Sequence, residues 1–405
     1  MKNMIKFICF LLLTVSTYAN CDVAAYVWPA YHSDPRWRED LGLFSHGKGE
    51  WQNVYTSKPK FKGHKQPKVP LWGYEDESNP VVAARKIDAA LAAGINVFFF
   101  DWYWYEGKPF LEAALNDGFL KAPNSERMKF CLMWANHGVN HTWDNTKAVK
   151  AKTPPFLNAR ISLDEFKKIS KRIVEMYFKR KNYYKLDNKP LFCIFDWKNF
   201  INGVGGAEKA KEGISYLDKL CKDAGFDGVH VQLNQVAIEP KLPPIPNNPK
   251  PLFSEFCKFL NVSSATHYNW RMIVPIKGSG YAPIGTDGCE DMDYKKWGDE
   301  SMSKLDYIQD RLGVPYFPVV TMGWDCNPRF PDGAYRAIAS NNNPNDFERY
   351  LRIAKNWAEK NSRRLIIINA WNEYVEGAYL EPDSEFGYGF LNATARVFGG
   401  AGQSK

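Results

Sequence analysis

Residues 366–377 of the sequence read IIINAWNEYVEG, with Glu373 and Glu376 three positions apart directly after an apolar β-type run. Charged groups seldom sit beside a buried strand without a partner or a chemical task. Two carboxyl groups in one cleft suit cleavage of a glycosidic bond. One protonates the leaving oxygen while the other attacks, or activates the attacking group. Burial and mutual repulsion would hold one of the two protonated near neutral pH. The same spacing also occurs in loops that make ordinary salt bridges, so the elements that position the pair must decide.

Those elements are written as apolar runs alternating with amphipathic stretches. Strands are expected at 23–28, 95–101, 128–134, 190–196, 228–233, 264–270, 316–322 and 365–371. Most are continuous rather than alternating, as in strands covered on both faces. Asn79-Pro80 is an N-cap followed by Pro at the first helical position, with Ala84, Ile87 and Leu91 on one face until Gly94 stops the helix. Ser162 and Glu165 form a capping box ahead of Phe166, Ile169, Ile173 and Tyr177. A third helix is expected over 345–360. Eight strands interspersed with helices predict an α/β fold, a (β/α)8 TIM-type barrel with long βα loops. A doubly wound sheet is the alternative, but no glycine-rich fingerprint follows the first strand.

A barrel gathers its working residues past the C-terminal ends of its strands. Polar and aromatic groups stand at all eight expected ends: Tyr31 and His32; Asp101, Trp102 and Tyr103; Trp134 and Asn136; Asp196 and Trp197; Asn234 and Gln235; His267 and Tyr268; Trp324 and Asp325; and Asn372 with Tyr374 beside the glutamates. Packing alone would favour aliphatic residues there. Glu373 and Glu376 are the expected catalytic pair. Tyr31, His64, Asp101, Trp102, Tyr103, Trp134, Asn136, Asn234, His267, Tyr268, Trp324, Asn372 and Tyr374 are the expected substrate contacts. The segments 41–75, 236–255 and 276–298 are expected as rim loops that shape a cleft.

Composition agrees with a sugar-binding surface. Aromatic residues make up 15% of the chain, with 14 Trp and 21 Tyr, and such rings stack on flat ligands, sugars included. The formal charge of +8 is dispersed, which argues against a nucleic-acid arm. The first 20 residues have Lys2 and Lys6, a short apolar run and then small polar residues, the plan of a signal peptide. Export is therefore expected, with 21–405 as the barrel catalytic domain and Cys21 as a possible lipid anchor. Cys221, Cys257, Cys289 and Cys326 could form one or two disulfides. There is no CxxC spacing and no metal-ligand cluster, so no metal or cofactor is expected.

WNEYVEG followed by YLEPD, together with GHKQPKVPLWGYED and INVFFFDWYWYEGK, resembles glycoside hydrolase family 99 and its WbsX-like relatives. The resemblance runs from YVWPAYHSDPRW to EFGYGFLNATARVF, and the closing motif is its most specific part. It implies a (β/α)8 barrel and a retaining, endo-acting α-glycosidase whose substrate is a polysaccharide or oligosaccharide. It further implies that Glu373 matches the base that deprotonates the sugar's own 2-hydroxyl, which then displaces the leaving group through an epoxide-like intermediate. Glu376 would match the acid that protonates the departing oxygen and later activates water. Tyr374-Val375 stands between the glutamates where the mannosidases carry Trp-His, and GHKQPK also leans to the WbsX-like branch. Two rival functions remain: a WbsX-like glycosyltransferase of surface-polysaccharide assembly, and a carbohydrate-binding barrel without catalysis.

Overall fold

Each of the eight expected runs forms a strand: β1 Asp22–Val27, β2 Val97–Tyr105, β3 Lys129–Trp134, β4 Lys189–Ile194, β5 His230–Leu233, β6 Ser264–Ala265, β7 Val319–Thr321 and β8 Leu365–Asn369. The computed structural model describes residues 21–146, 155–234, 242–281 and 288–399; the expected signal peptide and Gln235 lie outside them. All eight strands pair in parallel, in the order β7-β8-β1-β2-β3-β4-β5-β6. Ala24 of β1 stands opposite Val97 on one side and Ile367 on the other. A single parallel bridge, Ala265 to Tyr316, joins the two ends of the sheet and closes the ring. It is held by Ala265 N–H donating to Pro315 O at 3.0 Å and Phe317 N–H donating to Ala265 O at 2.9 Å.

The weakest pairing lies at β6 and β7, both shorter than expected. Pro315 and Pro318 offer no N–H to a ladder, so regular pairing before Val319 is interrupted. After Ala265 the chain leaves the sheet for a 3-10 turn, Trp270–Met272, capped by the Asn269 side chain accepting from Arg271 N–H at 3.1 Å. β2 runs in the other direction, four residues past its expected end, because Tyr103, Trp104 and Tyr105 pair with Lys108–Phe110 in a hairpin.

Helices cover the outside. Pro80–Ala92 is capped by Asn79, whose side chain accepts from Val81 N–H. It stops at Gly94, where φ is +84° and an added Cβ would lie 2.5 Å from the carbonyl of Phe398. Leu163–Ile173 is capped by Ser162, and Pro344–Lys360 by Asn343. Phe98, Phe100 and Phe119 pack between β2 and this outer layer, while Tyr26 and Phe99 meet inside the ring at 5.1 Å.

The cysteine expectation is corrected: Cys221, Cys257, Cys289 and Cys326 are all free thiols. Cys221 and Cys257 sit on the inner faces of separate helices, Ala207–Asp223 and Phe253–Leu260, where each fills space as a small apolar group. Cys21 is half-buried against the core, and burial pushes its thiol up to about 12. Among the described residues no helix is long and apolar enough to cross a membrane.

Candidate active site

The alternation of β2 sorts its side chains. Phe99, Asp101 and Tyr103 point to the lumen and its mouth; Phe98, Phe100, Trp102 and Trp104 point to the helices. At the mouth lies a cavity of about 290 Å³, lined by Asp101 and Tyr103 from β2, Met133 from β3, Tyr268 beyond β6, Trp324 beyond β7, and Glu373 and Glu376 beyond β8. Trp28, Trp143 and Phe195 add an aromatic wall, with Trp28 and Trp143 edge to face at 5.3 Å.

The chain leaving β8 holds the two glutamates on a short rigid turn. Asn372 clamps β1: its Oδ1 accepts from Trp28 N–H at 2.7 Å and its Nδ2 donates to Trp28 O at 2.8 Å. Tyr374–Glu376 then forms a 3-10 turn that ends at Gly377, φ +63°. Asp325 N–H donates to Glu376 O at 2.6 Å and ties this turn to the segment beyond β7.

Glu373 and Glu376 are 2% and 5% exposed, so each carboxyl depends on its neighbours rather than on water. One guanidinium touches both. Arg329 Nη1 lies 3.3 Å from Glu376 Oε1, and Nη2 lies 3.6 Å from Glu373 Oε1. Its remaining edge is held by fully buried Glu50, with Nε to Oε1 at 2.6 Å and Nη2 to Oε2 at 3.0 Å. Trp28 Nε1 donates to the same Glu50 carboxylate at 2.7 Å. Tyr281 accepts from Arg329 Nη1 at 2.7 Å and donates to Glu376, and Tyr268 donates to Glu373.

Three negative groups therefore converge on one positive group. Burial, then repulsion from Glu376 and Asp101, pushes Glu373 well above the ordinary carboxylate range. Burial also raises Glu376, but Arg329 and the Tyr281 hydroxyl oppose the rise. Asp101 is raised well above its usual value by burial and by Glu376. Among the described residues, Glu376 Oε2, Asp101 Oδ1 and Tyr103 Oη are buried without a hydrogen-bond partner, on three side chains that line the cavity, so hydrogen-bonding capacity is left over at its wall. Burial lowers His137, on the same wall, to about 4, so its ring is neutral at pH 7. Among the described residues no three His, Cys, Asp or Glu side chains converge as a metal site.

A family model described as Glycosyltransferase WbsX matches residues 23–394. The chain belongs to the WbsX family. Two proteins from Xanthomonas campestris pv. campestris, each named "Uncharacterized protein WxcX", are 27% identical to it over 399 residues. The match takes in 93% of this WbsX chain and 49% of theirs, so the chain spans about half the length of the curated relatives it matches. A solved structure named "Glycoside hydrolase-like protein" superposes with a TM-score of 0.55 at 15% identity, covering 94% of this chain and 95% of that one. The GH99 endo-alpha-mannosidase from Bacteroides thetaiotaomicron gives 0.55 at 13% identity, covering 93% and 96%. Both likenesses are to the fold.

Within this WbsX barrel the residues expected at the site divide by location. Asp101, Tyr103, Tyr268, Trp324, Glu373 and Glu376 reach the cavity together. Trp102 and Trp134 do not. Trp102 lies on the helix side of β2 with its indole N–H on Glu112, and Trp134 packs between Phe166 and Phe200. Tyr31 is stacked on Trp51 at 3.8 Å beneath the rim, and Tyr374 on Tyr379 at 3.9 Å. Asn136 Nδ2 donates to Asp196 O at 2.7 Å and shapes a loop. Asn234 lies inside the ring, its Nδ2 donating to the Tyr26 hydroxyl at 3.1 Å, whereas the His267 ring meets, at 2.9 Å, the hydroxyl of Tyr316, which packs on Trp357 of the outer helices. Asn372 is the clamp described above. His64 is bonded to Asp325 in a second cavity of about 260 Å³ that shares Trp324 with the first.

Sequence reasoning passed over Trp28, Glu50, His137, Trp143, Arg271, Tyr281 and Arg329. A strand-end rule cannot find most of them, because they come from the loops. Glu50 in GKGEWQNVY and Arg329 in CNPRFPDG are charges set among aromatic or apolar neighbours, and that local mismatch was the available signal.

Proposed function

We propose that the protein is a glycoside hydrolase that cleaves an α-linked bond within a polysaccharide or glycan through Glu373 and Glu376. One observation carries the reading: a single guanidinium, Arg329, holds two buried carboxyls side by side in an aromatic-walled cavity. Acid–base cleavage needs carboxyls that differ in proton affinity, and here the difference has a cause. Arg329 and Tyr281 favour charge on Glu376, while Asp101 disfavours it on Glu373. In the free cleft Glu373 is therefore the carboxyl that holds a proton more strongly. The roles expected from the family resemblance place it on Glu376 when the leaving oxygen departs. A sugar hydroxyl seated against Glu373 and an oxygen seated against Glu376 supply the reordering, because each carboxyl then meets a new hydrogen-bond partner. Retention of configuration, endo action and export, the last from the signal-like residues before Cys21, belong to the same proposal.

The test is digestion of α-mannans and other bacterial, algal and plant glycans by purified protein, with products sized. Glu373→Gln and Glu376→Gln should each lower turnover by roughly 10²–10⁴-fold. An activated aryl glycoside should restore the first step of Glu376→Gln, read as release of the aryl alcohol, but not that of Glu373→Gln; sustained turnover of Glu376→Gln should also need an added anionic nucleophile such as azide, because activating water falls to the same carboxyl. Full cleavage by both variants ends the proposal; release of monosaccharides alone ends endo action. The family's description favours a second reading, a glycosyltransferase. Transfer from a sugar nucleotide to an acceptor, without hydrolysis of any glycan, would select it.

A further inference from the structure

The cleft has two arginines on its lining, and their surroundings differ. Arg329 is enclosed by Glu50, Glu373 and Glu376. Arg271 has no carboxylate within ion-pair reach among the described residues, and it is half-buried rather than extended into water. Its guanidinium lies over the Trp324 ring, 4.0 Å from the centroid, and Nε donates to Ser279 Oγ at 2.8 Å. Ser279 is itself fixed: its Oγ donates to Ile276 O at 2.8 Å, and its carbonyl accepts from Trp324 Nε1 at 3.0 Å. The backbone beneath Arg271 is equally rigid, because neighbouring Trp270 is fully buried and its indole donates to Val319 O at 2.9 Å on β7. A long cationic side chain has thus been immobilised by an indole, a serine and a capped turn, and among the described residues neither terminal NH2 group has an acidic partner.

That arrangement costs side-chain entropy and, among the described residues, leaves a cation without an ion-pair partner beside an apolar ring. It is the arrangement that reads a planar oxyanion, since a guanidinium held at Nε presents its terminal nitrogens for charge-assisted bonds. Resting on the sugar-cleft reading above, we propose that the substrate is an anionic glycan, and that Arg271 binds a carboxylate or sulfate group on the sugar adjoining Glu376. The position suits the chemistry. Tyr281 is bonded to Glu376 and Trp324 carries Arg271, with the two rings 6.3 Å apart, which places both groups on the same side of the cavity for one bound sugar.

The experiment is affinity electrophoresis of a Glu376→Gln protein, which binds without turnover. The gels contain polygalacturonate, its carboxyl-reduced form, a sulfated fucan, its desulfated form, or neutral α-mannan. One anionic polymer should retard the protein roughly ten- to hundredfold more strongly than its neutralised counterpart. Added Arg271→Gln should abolish the difference and Arg271→Lys should recover part of it, and the retardation should weaken with added salt. The arm that responds identifies the group as carboxylate or sulfate. Equal retardation by charged and neutralised polymers, no retardation by either anionic polymer, or indifference to Arg271→Gln overturns the proposal. Wild-type digests separate it from the hydrolase reading. Arg271-dependent binding without released products sinks hydrolysis alone; Glu376-dependent cleavage of neutral mannan, with no binding of charged polymers, sinks the anion site alone.

Discussion

Two buried carboxylate sites lie back to back across Trp324, and they are built on opposite principles. On one side Asp325 is saturated. Its Oδ2 takes His64 Nε2 at 2.8 Å and Gln66 Nε2 at 2.7 Å, and its Oδ1 takes Asn327 N–H at 3.0 Å and Nδ2 at 2.8 Å. Burial alone would raise this carboxyl, but the hydrogen bonds outweigh it and bring it down to about 2. On the other side Glu373, Glu376 and Asp101 share little beyond Arg329 and two tyrosines, and all three are raised. A saturated carboxylate is a structural tie. Under-bonded carboxyls facing a cavity cost stability, and what they retain is the capacity to exchange a proton with a ligand.

The sharpest way to break the contrast is to remove the cation from the second site. Arg329→Met leaves fully buried Glu50 without its ion-pair partner, removes the nearest cation from Glu373 and Glu376, and should cost about 3–5 kcal/mol, read by chemical denaturation at pH 7. Arg329→Lys should cost less while losing the simultaneous grip on Glu50 and both glutamates. If Arg329→Met is as stable as the wild type, the guanidinium does not hold the cluster.

The two sites also differ in how far the sequence disclosed them. The eight strands were legible because continuous apolar runs bounded by turn residues have few alternatives, and Glu373 and Glu376 were conspicuous as charges directly after such a run. Trp102 and Trp134 show what strand position alone omits. Being at a strand's end does not say which face of the pleat a side chain takes, and β2 continues to Tyr105, so Trp102 keeps the outward parity of Phe98 and Phe100. His64 carried a chemical residue type but not its partner, Asp325, which lies 261 positions away. Arg329 and Glu50 were hidden for the same reason: their pairing spans 279 positions, and neither local stretch announces it.

Asp325 offers a smaller, pH-resolved test of the saturated side. Its folded value of about 2 lies below the unfolded value near 3.9, so the carboxylate's contribution is present above the unfolded value and is lost as pH falls through the folded one. Asp325→Asn, which cannot accept four bonds, should cost about 1–3 kcal/mol at neutral pH. The gap to wild type should close between roughly pH 4 and pH 2. A gap that is constant with pH would mean that shape, rather than charge, is what the site requires.

The smallest effect has the opposite sign. Glu373 binds its proton more tightly folded than unfolded, so wild-type stability falls as pH rises above the unfolded value near 4.3. Glu373→Gln removes that liability and keeps a group of the same shape against Tyr268 and Arg329. It should melt at or below the wild-type temperature near pH 4 and above it at pH 7, by a margin that grows with pH until the folded carboxyl has ionised. A variant that melts lower than wild type at pH 7 would show that the Glu373 carboxyl contributes net stability, as Asp325 does, and the distinction drawn across Trp324 would fail.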